Sequence, residues 1–515
     1  MKASNKRHFN ENLKLLARSS IIVFIGLFLS KLIAYVYRIA IARYYGPEVY
    51  GLFALALIGF SIAAVLSRLG FAEGLGRYVP FYRGKNQQDN IAYLFRKTLI
   101  LTLISSLFFA LVFYFASDFI ASSIFGNPDL SIYFKIFSFL LPMSSVSVLF
   151  TSMLKAYEKI GWFSFITNIF DNLIKIIILA ILIFIGVNSK AVPLSYTLGG
   201  LFTLLLSFII CRSVIPSSFT RILRNDIKVN KKDSMMRSFY AYSWPFIIFG
   251  IVGSIFYWVD SIMIGIFRSA AEVGFYNAAV PIALLLTLTK DIFSNLFFPI
   301  VTKEYARKKN DIVKQLSQQI GKWIFIINLP VFILFIVFPG VFINLLFGKE
   351  YLVAETALRI LAFGALSTSL FEISRDLISM TGKSKVILID IILATVLNII
   401  LNYLLIPAYG INGAAVATAI SLIALNTTFM LQSRKLLGIF PMRRKIIRIM
   451  AVTIIPVILI LIARNFIEFN LIKTIIAGIV FAIIYIFLLF LTNCLDENDK
   501  MIFNLVKNKI LKQIN

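Results

Sequence analysis

The sequence predicts an all-α polytopic membrane protein: about fourteen transmembrane helices, arranged as two pseudo-symmetric six-helix lobes plus a C-terminal helix hairpin. Three observations predict it. The 515 residues are 59% hydrophobic, against about 45–50% for a soluble domain. Their mean hydropathy is +0.89. Apolar runs of about 20 residues, the length that crosses a bilayer as a helix, recur from end to end; the run at 98–117 carries no charge at all.

The chain divides in order into spans at 19–43, 51–77, 95–117, 131–154, 163–186 and 193–214, then 241–267, 275–300, 320–342, 357–380, 385–407 and 411–433. A last pair follows at 447–466 and 472–494. The organisation is therefore an N-terminal lobe at 1–215, a cytoplasmic linker at 216–240, a C-terminal lobe at 241–437, and the last two helices with a tail at 438–515. The first run holds internal charges and no small-residue cleavage site, so it reads as a helix and not as a signal peptide.

The formal charge of +27 does not point to nucleic acid, because the polar segments are too short to hold a binding module. The basic residues instead follow the positive-inside pattern. Thirty-six Lys and Arg fall on one side of the predicted spans and six on the other. The rich side includes Arg83, Lys85, Lys155, Arg221, Arg224, Lys303, Lys322 and Lys445; the poor side holds Arg43, Lys190, Arg268, Lys349, Arg464 and Lys473. This asymmetry puts both termini in the cytoplasm, with the protein multi-pass in the cell membrane. Cys211 and Cys494 are far apart, and the only histidine is His8, so neither a structural disulfide nor histidine-based catalysis is expected.

The two halves resemble each other. Glu48-Val49-Tyr50-Gly51-Leu52-Phe53 is matched by Glu272-Val273-Gly274-Phe275-Tyr276 with one residue dropped. Ile124-Phe125-Gly126 is matched by Leu346-Phe347-Gly348, and Lys135–Phe139 by Arg359–Phe363. Six spans per repeat preserve orientation, an arrangement used by alternating-access transporters that bind substrate between halves.

Charges within the spans separate the halves. The first carries Lys31, Arg38, Arg68, Arg77, Lys135 and Lys175 against Glu73 and Asp171; the second carries Lys290, Arg359 and Arg375 against Asp260, Asp291, Glu372, Asp376 and Asp390. A Lys or Arg at a helix centre costs roughly 2.5–3.5 kcal/mol on insertion scales, so each needs a compensating role. Lys31 and Arg38 are two helical turns apart and share a face. With Arg68 they are the candidates for holding an anionic headgroup, Arg as a bidentate donor and Lys as a point charge. Interhelical ion pairing or snorkelling is the alternative; Lys31 and Arg68, well inside their spans, favour the cavity role, and Arg38, nearer the outer end, is balanced between the two. Asp171–Lys175 and Glu73–Arg77 have i,i+4 spacing and read as ion pairs. Asp260, Glu372 and Asp376 are candidates for binding H+ or Na+, with Glu372, Arg375 and Asp376 on one helix face as either a structural triad or an ion site. Gly70, Gly74 and Gly76 mark a place where the second span bends or packs closely.

The stretch ARYYGPEVYGLFALA at 42–56 resembles the first-loop signature of Wzx-type polysaccharide exporters, of the multidrug/oligosaccharidyl-lipid/polysaccharide exporter superfamily. YWVDSIMIG at 257–265, LFGKEY at 346–351 and NYLLIPAYGINGAAVATAIS at 402–421 resemble it too. The resemblance implies two six-helix lobes around a central cavity and flipping of a polyprenyl-(di)phosphate-linked oligosaccharide from the cytoplasmic to the outer leaflet. That would be a transporter and not an enzyme, with no cofactor beyond a coupling ion. Its partners would be the lipid-linked substrate, membrane lipids and glycan-assembly enzymes, with one chain sufficing as a monomer. A drug or amphiphile exporter of the same superfamily is the near alternative. A membrane-embedded glycan polymerase is the alternative from another class, and would need convergent catalytic groups on an aqueous face.

Overall fold

The computed structural model describes residues 2–215, 232–441, 445–466, 471–496 and 499, with side chains described from residue 31. Among them every regular element is helical. Twelve helices are long and apolar enough to cross a membrane, and the chain is a multi-pass membrane protein. Two compact units divide it: Ser30–Gly274, and Met1–Leu29 with Phe275–Asn515. The helix 245–267, the first span of the predicted C-terminal lobe, belongs to the Ser30–Gly274 unit.

In the unit Ser30–Gly274, α1 (Lys2–Arg68) is two helices joined at Gly46, where φ is 81° and ψ −179°. Only glycine takes that conformation without strain. Arg38 is hydrogen-bonded to Tyr50, and the Tyr37 and Phe53 rings are 5.7 Å apart. On a straight helix, residues twelve apart would be ~18 Å apart, so the chain doubles back at Gly46. Pro47 follows, where its missing N–H costs nothing at a helix start. Leu69 and Gly70 both have positive φ and end this helix before α2 (Phe71–Gly84). The predicted second span, 51–77, is thus broken after Arg68. A β-carbon on Gly74 would sit 2.3 Å from Ser243 Oγ, so α2 packs tightly where the glycines predicted it would.

The unit continues with α3 (Gln88–Phe119), α4 (Leu130–Ala156), α5 (Ile160–Ser164), a π turn, α6 (Asp171–Phe184) and α7 (Ala191–Val214). It ends with α8 (Lys232–Ser243), α9 (Pro245–Phe267) and the start of α10 (Ala270–Ala306). The two segments that the internal repeat aligns touch each other. A β-carbon on Gly51 would meet the Ala270 carbonyl at 1.7 Å, and one on Gly274 would meet the Pro47 carbonyl at 2.1 Å. Backbone-to-backbone approach of this kind is how small residues hold membrane helices together.

The second unit contains the rest of α10, then α11 (Asn310–Val337), α12 (Pro339–Leu346), α13 (Glu355–Met380) and α14 (Ser384–Leu437). It closes with α15 (Lys445–Phe466) and α16 (Leu471–Leu491). α14 is also two helices, joined at Gly410 with φ 54°. Asn398 donates to Thr418 Oγ1 at 3.3 Å, twenty residues on, so this helix doubles back as well.

Lys322, counted among loop cations from its sequence, is fully buried on α11. It pairs with Asp499 and, at 3.2 Å, with Asp496. Gln319 Nε2 and Trp323 Nε1 donate to Asp499 at 2.6 and 2.8 Å, and Lys445 pairs with Asp496. This network ties the chain beyond α16 to α11 and to the start of α15. Burial acts to raise the Asp496 carboxyl, but Lys445 and Lys322 together hold it below the ordinary carboxylate range. A depressed carboxyl stabilises the fold above its unfolded value, about 3.9, and that stability fades as pH falls through the folded value. The difference in thermal midpoint between the parent and Lys445→Met is therefore expected to be full at pH 7 and to close below about pH 4. A difference that does not change with pH would contradict this role.

Candidate functional site

The site is built around Arg38. The Gly46 turn lays the two halves of α1 side by side and brings Tyr50 to Arg38 as a hydrogen-bond partner. Tyr35, Tyr196 and Tyr257 are the other phenols in electrostatic reach. They come from α1, α7 and α9, so three segments of one unit converge on this guanidinium. Among the described residues Arg38 has no ion pair. Tyrosine supplies an acceptor oxygen and a π face, which soften the cost of the charge without cancelling it.

Tyr196 is held in place by aromatic packing. Its ring lies 5.8 Å from Tyr37, 5.6 Å from Phe53 and 5.5 Å from Phe137. Tyr37 is anchored in turn by donating to the Val192 carbonyl at 3.0 Å. Lys175 Nζ sits 3.8 Å from the centre of the Tyr196 ring. It donates to Asp171 at 2.7 Å, and Thr203 Oγ1 donates to the other Asp171 oxygen at 3.0 Å. A β-carbon on Gly199 would fall 2.5 Å from Lys175 Cγ, so the absent side chain makes room for the lysine stem. Lys175 is thus neutralised, as its i,i+4 spacing predicted, whereas Arg38, also within electrostatic reach of Tyr196, has no ion pair among the described residues. The arrangement can receive a polyvalent anion at one charged, fork-shaped donor in an aromatic setting.

Comparison with known proteins fits this architecture. The family model described as polysaccharide biosynthesis protein matches residues 16–290, more than half of the chain. The chain belongs to the polysaccharide biosynthesis protein family. With it, the chain falls in the multidrug/oligosaccharidyl-lipid/polysaccharide exporter superfamily. A second model, MatE, matches residues 245–404. A Shigella flexneri protein assigned as an O-antigen transporter is 24% identical over 74% of this chain and 89% of its own. A Haloferax volcanii protein assigned as a low-salt glycan biosynthesis flippase is 29% identical over 37% of this chain and 40% of its own. The solved lipid II flippase MurJ, in an inward closed conformation, superposes with a TM-score of 0.67 at 17% identity. It covers 90% of this chain and 98% of the solved chain, and the likeness shows the fold.

The other predicted site residues of this family member are spread out. Counted from the Gly46 turn at 1.5 Å per residue, Arg38 lies ~12 Å deep, Lys31 ~22 Å and Arg68 ~33 Å. The hydrocarbon core is about 30 Å thick, so these three are stations at different depths and not one pocket. Lys31 is partly exposed and engaged with a partner. Arg68 has a buried Nε without a hydrogen bond, and Glu73 is an acid within its electrostatic reach. Asp260 is buried and engaged, one turn from Tyr257 on the same face of α9.

The acidic candidates in the second unit differ among themselves. Glu372 accepts from Lys290 at 2.6 Å and from Arg375 at 2.6 Å. Lys290 also pairs with Asp291 at 3.0 Å, although adjacent helical residues face different ways. Asp376 is the member of the triad with a buried oxygen, Oδ2, that has no partner. Asp390, outside the predicted site, shares this feature: Gln432 donates to its Oδ1 at 3.0 Å, while its Oδ2 and Gln432 Oε1 are both buried without partners. The tyrosines around Arg38 were missed. Tyr50 and Tyr257 lie inside two of the quoted motifs, which was the available signal.

The contrast between Lys175 and Arg38 predicts opposite stabilities. Lys175→Met strands Asp171, whose side chain is 27% exposed. Removing one partner of a buried pair costs 3–5 kcal/mol, and partial exposure puts this case near ~3 kcal/mol. Adding Asp171→Asn is expected to recover most of that. Arg38→Met breaks no ion pair and is expected to cost no more than ~1 kcal/mol. Thermal unfolding of the purified variants checks this; equal losses for Lys175→Met and Arg38→Met would contradict the distinction.

Proposed function

We propose that this protein is a flippase that moves a polyprenyl-(di)phosphate-linked oligosaccharide from the cytoplasmic to the outer leaflet by alternating access. The observation that carries the reading is Arg38, a guanidinium with tyrosine neighbours and, among the described residues, no ion pair. Phosphate oxygens are the natural partners of such a fork. Relatives assigned to O-antigen and glycan transport support the choice of cargo. Lys31 and Arg68, farther from the Gly46 turn and nearer the cytoplasmic end, would meet the phosphate earlier along its path. The twelve candidate spans, two of them doubled back at Gly46 and Gly410, would give fourteen crossings with both termini in the cytoplasm. The chain would work as a monomer, and substrate would leave chemically unchanged, so the protein is not an enzyme. An H+ or Na+ gradient would supply the driving force, with Asp376 the member of the acidic triad open to a proton because its buried Oδ2 lacks a partner.

A drug or amphiphile exporter is the second reading, favoured by the MatE match over 245–404. Cell depletion separates the two. Under the flippase reading, a complete, unpolymerised lipid-linked glycan accumulates on the cytoplasmic leaflet, seen by mass spectrometry and leaflet-selective labelling. An unchanged lipid-linked pool with new sensitivity to amphiphilic drugs would overturn it in favour of the exporter.

A further inference from the structure

A cavity of about 410 Å³ opens at the end of the first unit remote from the Gly46 turn. Arg77, Tyr78, Phe81 and Tyr82 of α2, Asn90 of α3 and Ser238 of α8 line it. The loop charges assign this end to the cytoplasmic side. Arg77 has i,i+4 spacing to Glu73, yet the two form no ion pair among the described residues. The guanidinium lies instead 4.3 Å from the centre of the Tyr242 ring and 5.5 Å from that of Tyr78. Lys85 Nζ lies 4.3 Å from the centre of the Phe81 ring, also without an ion pair among the described residues. Arg83, between them, is occupied: it pairs with Glu158 at 3.8 Å, donates to the Ala156 carbonyl at 3.3 Å and covers the Tyr157 ring. Arg77 and Lys85 are thus two cations set on aromatic faces, eight residues or ~12 Å apart along α2.

The surroundings are those of a membrane interface. Phe81, Tyr240 and Trp244 are all exposed at this end, and aromatic side chains of this kind sit at headgroup level. The volume is that of a small-ligand site, and its lining mixes aromatic rings with the polar groups of Arg77, Asn90 and Ser238. A phosphate bonded by Arg77 and faced by Lys85 would leave the apolar part of its molecule against the exposed rings. We propose that this cavity binds the phosphate headgroup of an anionic amphiphile, at a site separate from Arg38. The chemistry is shared by a bulk anionic phospholipid and by a polyprenyl phosphate.

Native mass spectrometry of the purified full chain tests it, with dioleoyl phosphatidylglycerol, dioleoyl phosphatidylcholine and undecaprenyl monophosphate as separate probes. The parent is expected to retain phosphatidylglycerol over phosphatidylcholine by ~5-fold or more, the discrimination expected of charge-assisted hydrogen bonds. The double variant Arg77→Gln/Lys85→Gln changes two exposed side chains and should keep the parental thermal midpoint while losing that preference. Loss of undecaprenyl phosphate along with it would assign the site to polyprenyl phosphates as well as bulk lipid; loss for phosphatidylglycerol alone would assign it to bulk lipid. Equal retention of the two phospholipids by the parent, or an unchanged preference in the double variant, would overturn the proposal. Arg38→Gln should leave the preference intact, so this result stands apart from the outcome of the flippase test.

Discussion

A charge placed in hydrocarbon must be answered, and many of those among the described residues are answered by an ion pair. Asp171 faces Lys175, Asp118 faces Lys135, and Glu372 takes both Lys290 and Arg375. Glu355 takes Arg359, and the fully buried Lys322 takes Asp499. Each of these pairs joins residues of one compact unit. At a cost of roughly 2.5–3.5 kcal/mol per exposed cation, a helical membrane protein could hold few exceptions. Arg38, near the Gly46 turn, is set among tyrosines without an ion pair among the described residues, as Arg77 is at the other end of the unit, and the account of function rests on Arg38.

The setting of Arg38 depends on backbone geometry more than on charge. Gly46 reverses the chain so that Tyr50 returns to Arg38. Close contact of Gly51 with the Ala270 carbonyl and of Gly274 with that of Pro47 fixes where the returning helix begins. A β-carbon at Gly51 or Gly274 would have to push backbone away, and Tyr50, one residue from Gly51, would move with it. Tyr196 is fixed from the other side, by Tyr37, Phe53 and Phe137. The same residues therefore set the turn, the packing of the unit and the environment of its guanidinium.

Much of this was readable in the sequence because it is local. Helix positions follow from hydropathy, Asp171–Lys175 from i,i+4 spacing, and the break beyond Arg68 from glycine density. What could not be read involves residues distant in the chain. Lys322 looks like a loop cation until Asp499, 177 residues away, is seen to reach it. Arg77 has a carboxylate at ideal helical spacing, but Tyr242 from another helix takes its guanidinium instead. Lys31, Arg38 and Arg68 look like one cluster when listed in order; on the two arms that meet at Gly46 the shallowest and the deepest of them differ by ~20 Å in depth. The acidic triad at 372–376 contains one fully engaged carboxylate and one with a free oxygen, which spacing alone does not distinguish.

Reconstituted flipping tests the central claim most directly. A fluorescent polyprenyl-diphosphate oligosaccharide would be placed in proteoliposomes holding the parent or Arg38→Gln, and its movement between leaflets followed by quenching from outside. The account predicts transport by the parent and a rate at least ~10-fold lower for Arg38→Gln, the loss of one charge-assisted interaction with phosphate. Parental flipping by a folded Arg38→Gln protein would contradict it.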